Sequence, residues 1–210
     1  MIRVGVADDH PIVRNGLRRL IEFEQDMRMV IEAGDSVSLL DALRQTASDV
    51  LVLDINMPGR SGLDILPDIF KMCPGLPVLI LSMHPENQFA VSAIRAGVFG
   101  YLSKASADEE LIRAIRYAVA GKKFITATVA EMLANAMHAG GDRPLHELLS
   151  AREYEVLRHL ASGKSPTEIA DQLFLSIKTV STYKTRILEK MNMSNSAEII
   201  AYAIRNGLVD

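Results

Sequence analysis

The sequence predicts a doubly wound α/β domain on a parallel sheet, followed by a small all-helical domain. Over residues 1–122, five short runs rich in Val, Ile and Leu alternate with longer stretches of helical period. Residues 148–210 carry four helix-start signals. Between them His138-Ala-Gly-Gly-Asp-Arg-Pro144 breaks every period and reads as a linker. The boundaries expected are therefore 1–122, a linker at 123–147 with a possible helix at 126–137, and 148–210.

The apolar runs are 2–7, 29–33, 50–53, 78–81 and 98–102. None alternates strictly, as befits strands buried on both faces. The helical stretches are 11–24, 37–47, 62–72, 86–96 and 107–120. Five βα units with right-handed crossovers give a five-stranded sheet, and the common small version is the flavodoxin-like order 2-1-3-4-5. Ser36 is placed to cap the second helix, and Gly97 and Gly121 follow the fourth and fifth. In the second part, Ser150-Ala-Arg-Glu153 and Ser165-Pro-Thr-Glu168 both fit a capping box. Ser176 starts a third helix, Asn195 or Ser196 a fourth, and Gly207 closes it. With Leu173-Phe-Leu175 as the turn between the second and third, the outline is a four-helix helix-turn-helix module.

Composition narrows the class. The chain has 210 residues, 49% hydrophobic and 23% charged, with 13 Gly and 8 Pro, which excludes collagen-like, low-complexity and disordered chains. Its one cysteine, Cys73, excludes an internal disulfide framework and a cysteine-built zinc site. No run approaches the ~20 apolar residues of a membrane span, and the first residues turn acidic too soon for a secretion signal. A cytoplasmic location without a membrane partner is expected. Net charge is −3, with 15 basic and 19 acidic residues in 1–147 against 8 and 7 in 148–210. A weakly acidic body thus precedes a locally basic helix, which permits a polyanion partner.

Open parallel sheets bind ligands beyond the carboxyl ends of their strands. Those ends present Asp8 and Asp9 after the first strand, Asp54 after the third, Ser82 after the fourth and Lys104 after the fifth. Singly, each has a plain reading as a cap, a turn or a solvated charge. Together they bring three acids, a hydroxyl and an ammonium to one rim. Three acids repel one another unless a hard divalent cation joins them, and carboxylate oxygens suit Mg2+. An ion, a lysine and a hydroxyl around a carboxylate make a place to receive a phosphoryl group.

These motifs resemble the receiver domain of two-component response regulators. The resemblance rests on Asp8-Asp9, on Asp54 in Val-Leu-Asp-Ile-Asn-Met-Pro-Gly, on Ser82 ending Leu-Ile-Leu-Ser, and on Lys104 ending Gly-Tyr-Leu-Ser-Lys. It implies that Asp54 takes a phosphoryl group from a sensor histidine kinase or a small acyl phosphate. Mg2+ would be held by Asp9, Asp54 and the Asn56 main-chain carbonyl, and by Asp8 through water. Ser82 would bond a phosphoryl oxygen and Lys104 would pair with it. Tyr101 stands at the family's switch-aromatic position and is expected to turn inward when Ser82 moves, although a strand tyrosine with its hydroxyl in water fits the residues too. His84 stands where the family tunes dephosphorylation, although an exposed loop histidine fits it equally, and His10 reads as a loop residue before Pro11 in preference to a ligand.

On a helical wheel of the third output helix, Val180, Ile187 and Met191 share one side. Lys178, Ser181, Thr182 and Thr185 lie towards the other, flanked by Lys184, Arg186 and Lys190. Short hydroxyls can approach base edges while cations hold phosphates, although an ordinary solvated face has the same pattern. Residues 148–210 resemble the LuxR-type helix-turn-helix of the NarL/FixJ subfamily. The matching residues are Leu149-Ser-Ala-Arg-Glu153, Glu155-Val-Leu157, Ala161-Ser-Gly-Lys-Ser165, Glu168-Ile-Ala170, Leu173, Ser176, Thr179-Val180, Ile187, Lys190 and Gly207-Leu208. The resemblance implies double-stranded promoter DNA as partner, with base contacts on Ser181, Thr182 and Thr185 and further contacts from Lys178, Thr179, Lys184, Arg186 and Lys190. Ser181 stands where Lys is frequent, Tyr183 where His is, and Pro166-Thr167 where Asn-Lys is, so the operator is not implied. Ile199, Ile200, Ala203 and Ile204 on the last helix would form the contact of a homodimer when the chain is phosphorylated, or else only close the small core.

The function expected is a phosphorylation-gated, DNA-binding regulator of transcription, not an enzyme with an external substrate. A free-standing Mg2+-dependent phosphatase on the same sheet is the rival. Many such enzymes carry a second acid two residues after the nucleophilic Asp, where this chain has Asn56. A receiver whose DNA contacts do not depend on phosphate is the third possibility.

Overall fold

The structure, a computed structural model, describes residues 1–58, 60–83, 86–138 and 144–209. Gly59, His84 and residues 139–143 of the expected linker lie outside the described residues. Two compact units divide the chain, Met1–Gly141 and Asp142–Asp210.

In the first unit five parallel strands, β1 (Ile2–Ala7), β2 (Met27–Ala33), β3 (Val50–Asp54), β4 (Val78–Ser82) and β5 (Gly100–Ser103), lie in the order β2-β1-β3-β4-β5. The crossovers are α1 (Pro11–Phe23), α2 (Ser36–Gln45), α3 (Gly62–Met72), α4 (Glu86–Ala96) and α5 (Ala107–Val119). Val4, Val50, Val52, Leu79 and Leu102 of the sheet pack with Leu17 and Ile21 of α1 and Leu111 and Ile115 of α5 in one core. Burial on both faces explains why these strands read as continuous apolar runs.

Register then fixes the upper rim. Ala7 pairs with Leu53, so Asp8 and Asp54 emerge side by side. Asp54 pairs with Leu81 and Ser82 with Ser103, which places Ser82 and Lys104 one step along the same edge.

Two sequence expectations need correction here. Asp35, not Ser36, caps α2; its carboxylate accepts from the Val37 and Ser38 amides at 2.9 and 2.8 Å. Ser36 is buried as the first helical residue, and its hydroxyl accepts from the Arg60 amide. A carboxylate also suits the positive end of the helix better than a hydroxyl. The second correction concerns the segment after residue 122. The Phe124 amide donates to Phe99 O at 2.7 Å, its backbone bridges Gly100, and its ring is buried. Helix α6 (Ala127–His138) follows and packs against α4, so this stretch is part of the first unit.

The second unit holds α7 (Ala151–Ala161), α8 (Pro166–Gln172), α9 (Ile177–Lys190) and α10 (Ser196–Arg205). Both capping boxes form, Ser176 caps α9 and Asn195 caps α10. Val156, Leu157, Ile169, Val180, Ile187, Ile199 and Ala203 are its buried core. Phe174 takes φ +53° in the turn between α8 and α9. No helix among the described residues is long and apolar enough to cross a membrane.

Candidate functional site

The rim assembles around Lys104. Its Nζ lies 2.6 Å from Asp8 Oδ2 and 2.7 Å from Asp54 Oδ2, and all three side chains are buried. Asp54 Oδ1 accepts from the Asn56 amide at 3.2 Å. Burial is the largest influence on the Asp54 carboxyl and pushes it from 3.8 to about 6; the charge and hydrogen bond of Lys104 pull it down, and Asp8 adds to the rise. For Lys104 burial acts downward, but Asp54 and Asp8 outweigh it and hold the ammonium above its ordinary range. Attraction within the pair would depress the acid, so the raised carboxyl shows that desolvation wins on that side. The lysine stays charged, and the acid ionises within reach of neutral pH.

Ligand atoms from Asp8, Asp9, His10 and Asp54 all lie within 4.8 Å of one another. Asp8 Oδ2 and Asp9 Oδ1 are both buried. Their near neighbours are cationic or potentially so: Lys104 Nζ for the first, and His10 Nδ1 at 2.5 Å for the second. A set of carboxylate oxygens gathered at one buried rim fits a hard divalent cation. His10 therefore does more than precede Pro11. Its amide donates to Asp8 Oδ1 at 2.9 Å while its ring holds Asp9.

Ser82 is fully buried at the end of β4. Tyr101, 1% exposed, already lies inward. The expected inward turn thus has no outward starting point here. His84 lies outside the described residues.

One residue of the site gives no signal in the sequence. A Cβ on Gly62 would stand 2.1 Å from the Asp54 carbonyl oxygen and 3.0 Å from its carbonyl carbon. Only glycine lets the start of α3, capped by Ser61, close over the backbone of the acidic residue.

In the second unit, Lys178, Ser181, Thr182 and Thr185 stand on one face of α9, with Arg186 beside them and Lys184 next along the helix. The three hydroxyls donate back to the carbonyls of Ile177, Lys178 and Ser181 at 3.0, 2.9 and 3.1 Å. They are thus held on the helix and still present acceptor lone pairs outward. Thr179 turns to the cap, its amide and hydroxyl both meeting Ser176 Oγ. Lys190 is tied to Glu153 Oε2 at 2.7 Å. On α10 the expected contact face splits. Ile199 and Ala203, four residues apart, are core; Ile200 is half-buried and Ile204 is 61% exposed. Ile199 and Ala203 are therefore not available for the expected dimer contact, since one stripe of the helix cannot serve both packings.

Comparison with known proteins matches both units. Residues 4–116 fit the response regulator receiver domain, and residues 147–203 fit the luxR family of bacterial regulatory proteins. The chain is 39% identical to the transcriptional regulatory protein YxjL of Bacillus subtilis, over 99% of this chain and 97% of that protein. It is 35% identical to the oxygen regulatory protein NreC of Staphylococcus carnosus, over the whole of both. Among solved structures, RcsB of Salmonella typhimurium aligns with a TM-score of 0.63 at 31% identity, over 96% of this chain and 98% of that one. RcsB of the same organism bound to a promoter with the phosphomimetic BeF3- aligns at 0.61 and 32% identity, over 96% and 97%.

Proposed function

The chain belongs to the response regulators that join a receiver domain to a LuxR-type DNA-binding domain, and from this we propose that phosphorylation of Asp54 by a sensor histidine kinase gates its binding to promoter DNA. The observation that carries the proposal is the Asp8–Lys104–Asp54 arrangement, a buried carboxylate with a fixed ammonium 2.7 Å away. A carboxyl near 6 is mostly ionised at neutral pH and can attack phosphorus. An Asp54 oxygen forms the new P–O bond, the P–N bond of the phosphohistidine breaks, and the imidazole nitrogen keeps the electron pair and takes a proton. The Asp54 oxygen joined to phosphorus in the acyl phosphate no longer carries charge, so Lys104 moves its hydrogen bond to a phosphoryl oxygen while Asp8 keeps the ammonium at the rim. The Ser82 hydroxyl donates to another phosphoryl oxygen.

Asp8, Asp9, Asp54 and the Asn56 carbonyl would hold Mg2+, which when bound neutralises acids and phosphoryl oxygens that otherwise repel. The His10 ring lies against Asp9 Oδ1, one of these carboxylate oxygens.

In the output domain Ser181, Thr182 and Thr185 would read base edges from the major groove, with Lys178, Lys184 and Arg186 on phosphates. So few cations bind weakly alone; two copies on one duplex add their contacts at high effective concentration. Phosphorylation would act by promoting a homodimer, by releasing the helical domain, or by both. Mass spectrometry after incubation with a small acyl phosphate and Mg2+ tests the first step. One phosphoryl group on the peptide holding Asp54, absent in Asp54→Ala, is expected; phosphate elsewhere refutes the assignment.

A further inference from the structure

Charge and sequence position group Lys190 with the DNA-contacting cations, but its surroundings are those of a brace. At 100° per residue it stands about 130° round α9 from the centre of the face shared by Lys178, Ser181, Thr182 and Thr185. Its amine reaches Glu153 Oε2 at 2.7 Å, and the Glu153 side chain is 3% exposed. The same oxygen accepts from the Ser150 amide at 2.7 Å, and Ser150 Oγ caps the Glu153 amide. Ser150 is the residue at which the chain arriving from the first unit enters α7. One buried carboxylate oxygen thus joins the entry of α7 to the last residue of the recognition helix.

We infer that the Glu153–Lys190 pair is a positioning tie that fixes the angle of α9 on α7, and that Lys190 makes no phosphate contact. Glu153 is a capping-box residue, so the charge is stationed by the start of α7 whether or not Lys190 meets it. Left alone, it would be a desolvated carboxylate, which makes its cation partner hard to remove. Val180, Ile187 and Met191 seat one stripe of α9 in the core, and rotation or sliding about that stripe remains to be restrained. The tie acts at the C-terminal end of the helix, away from the outward side chains, and opposes the rotation that would re-aim them. Specific DNA binding should therefore depend on both residues, while the number of phosphates contacted should not. This rests on α9 being the DNA-contacting helix.

The test uses the full chain with Mg2+ and a small acyl phosphate, a duplex selected in vitro by the wild-type protein, and a random duplex of equal length. Lys190→Met and Glu153→Gln, the latter keeping a side chain that capping boxes accept, should each weaken binding to the selected duplex by roughly tenfold. Random-duplex affinity and the slope of log K against log salt should stay as in wild type. The double variant should be no worse than either single one, and Lys190→Arg should restore selectivity. A salt slope reduced by about 0.9 in Lys190→Met, with Glu153→Gln unaffected, would make Lys190 a phosphate contact and overturn the tie. An unchanged ratio of selected to random affinity with only a lower melting temperature would overturn it too, leaving a purely structural pair. Lys178→Met/Arg186→Met serves as the check on the helix itself. It should lower the slope, and an unchanged slope there would overturn the α9 assignment and, with it, the role of the tie in DNA binding.

Discussion

Replacing Asp54 by Asn should stabilise the metal-free receiver at neutral pH, by an amount that the burial of the acid sets. The Asp54 carboxyl is raised from 3.8 to about 6, chiefly by desolvation. A rise of about 2 in pKa corresponds to ~3 kcal/mol between the two protonation states. The sign follows from proton binding. Between 3.8 and about 6 the folded chain holds a proton that the unfolded chain has lost, so this group makes stability fall as pH rises through that window. The cost is absent at more acid pH and complete above the window. The carboxamide of the Asp54→Asn variant would not titrate, and Lys104 would keep Asp8 at 2.6 Å. Urea unfolding in EDTA, followed by amide signals of the receiver strands so that the helical domain does not intrude, gives the difference between variant and wild type. That difference should grow by up to ~3 kcal/mol in favour of the variant from pH 4 to pH 7, and Mg2+ should shrink it at pH 7 by binding wild type more tightly. A difference that stays flat with pH, or grows in favour of wild type, would refute the claim that desolvation dominates this site.

Gly62→Ala forces a Cβ to within 2.1 Å of the Asp54 carbonyl oxygen, so the receiver should lose about 1–3 kcal/mol in urea unfolding and incorporate phosphate far more slowly. Gly16→Ala, with nothing within 4 Å, should instead be neutral or gain ~0.5–1 kcal/mol. On α10, Ile204→Asp should leave the melting temperature unchanged and weaken self-association in sedimentation, whereas Ile199→Ala should cost about 2–5 kcal/mol of stability. His10→Asn should tighten Mg2+ binding several-fold in calorimetric titration, because the ring that holds Asp9 Oδ1 at 2.5 Å is gone; weaker binding would make the ring a ligand.

The sheet was legible because β3 and β4 are buried on both faces and say so in unbroken apolar runs. Once the strand order followed, polar residues at strand ends had to share a rim, and Asp8, Asp54, Ser82 and Lys104 did. What stayed hidden depends on contacts between distant segments. Gly62 looks like any helix-starting glycine until the Asp54 carbonyl is laid against it. Asp35 and Ser36 are neighbouring cap-capable residues, and only the backbone conformation separates them. Phe124 is a lone aromatic between lysines and threonines, and its pairing with Gly100 ties the first part of an expected linker to the first unit. On α10, Ile199, Ile200, Ala203 and Ile204 cover more than one stripe, so hydrophobicity alone does not say which stripe faces α7. Lys190 was in principle readable, since its helical angle already sets it apart from Ser181 and Thr185.

Phosphate on Asp54 is expected to raise the affinity of the DNA-binding domain for its duplex. Fluorescence anisotropy with a labelled, in vitro selected duplex, run with and without a small acyl phosphate in the presence of Mg2+, measures this for wild type and Asp54→Asn side by side. Affinity should rise on phosphorylation in wild type and stay constant in the variant. An equal rise in both, or none in wild type that mass spectrometry shows to be phosphorylated, would contradict it.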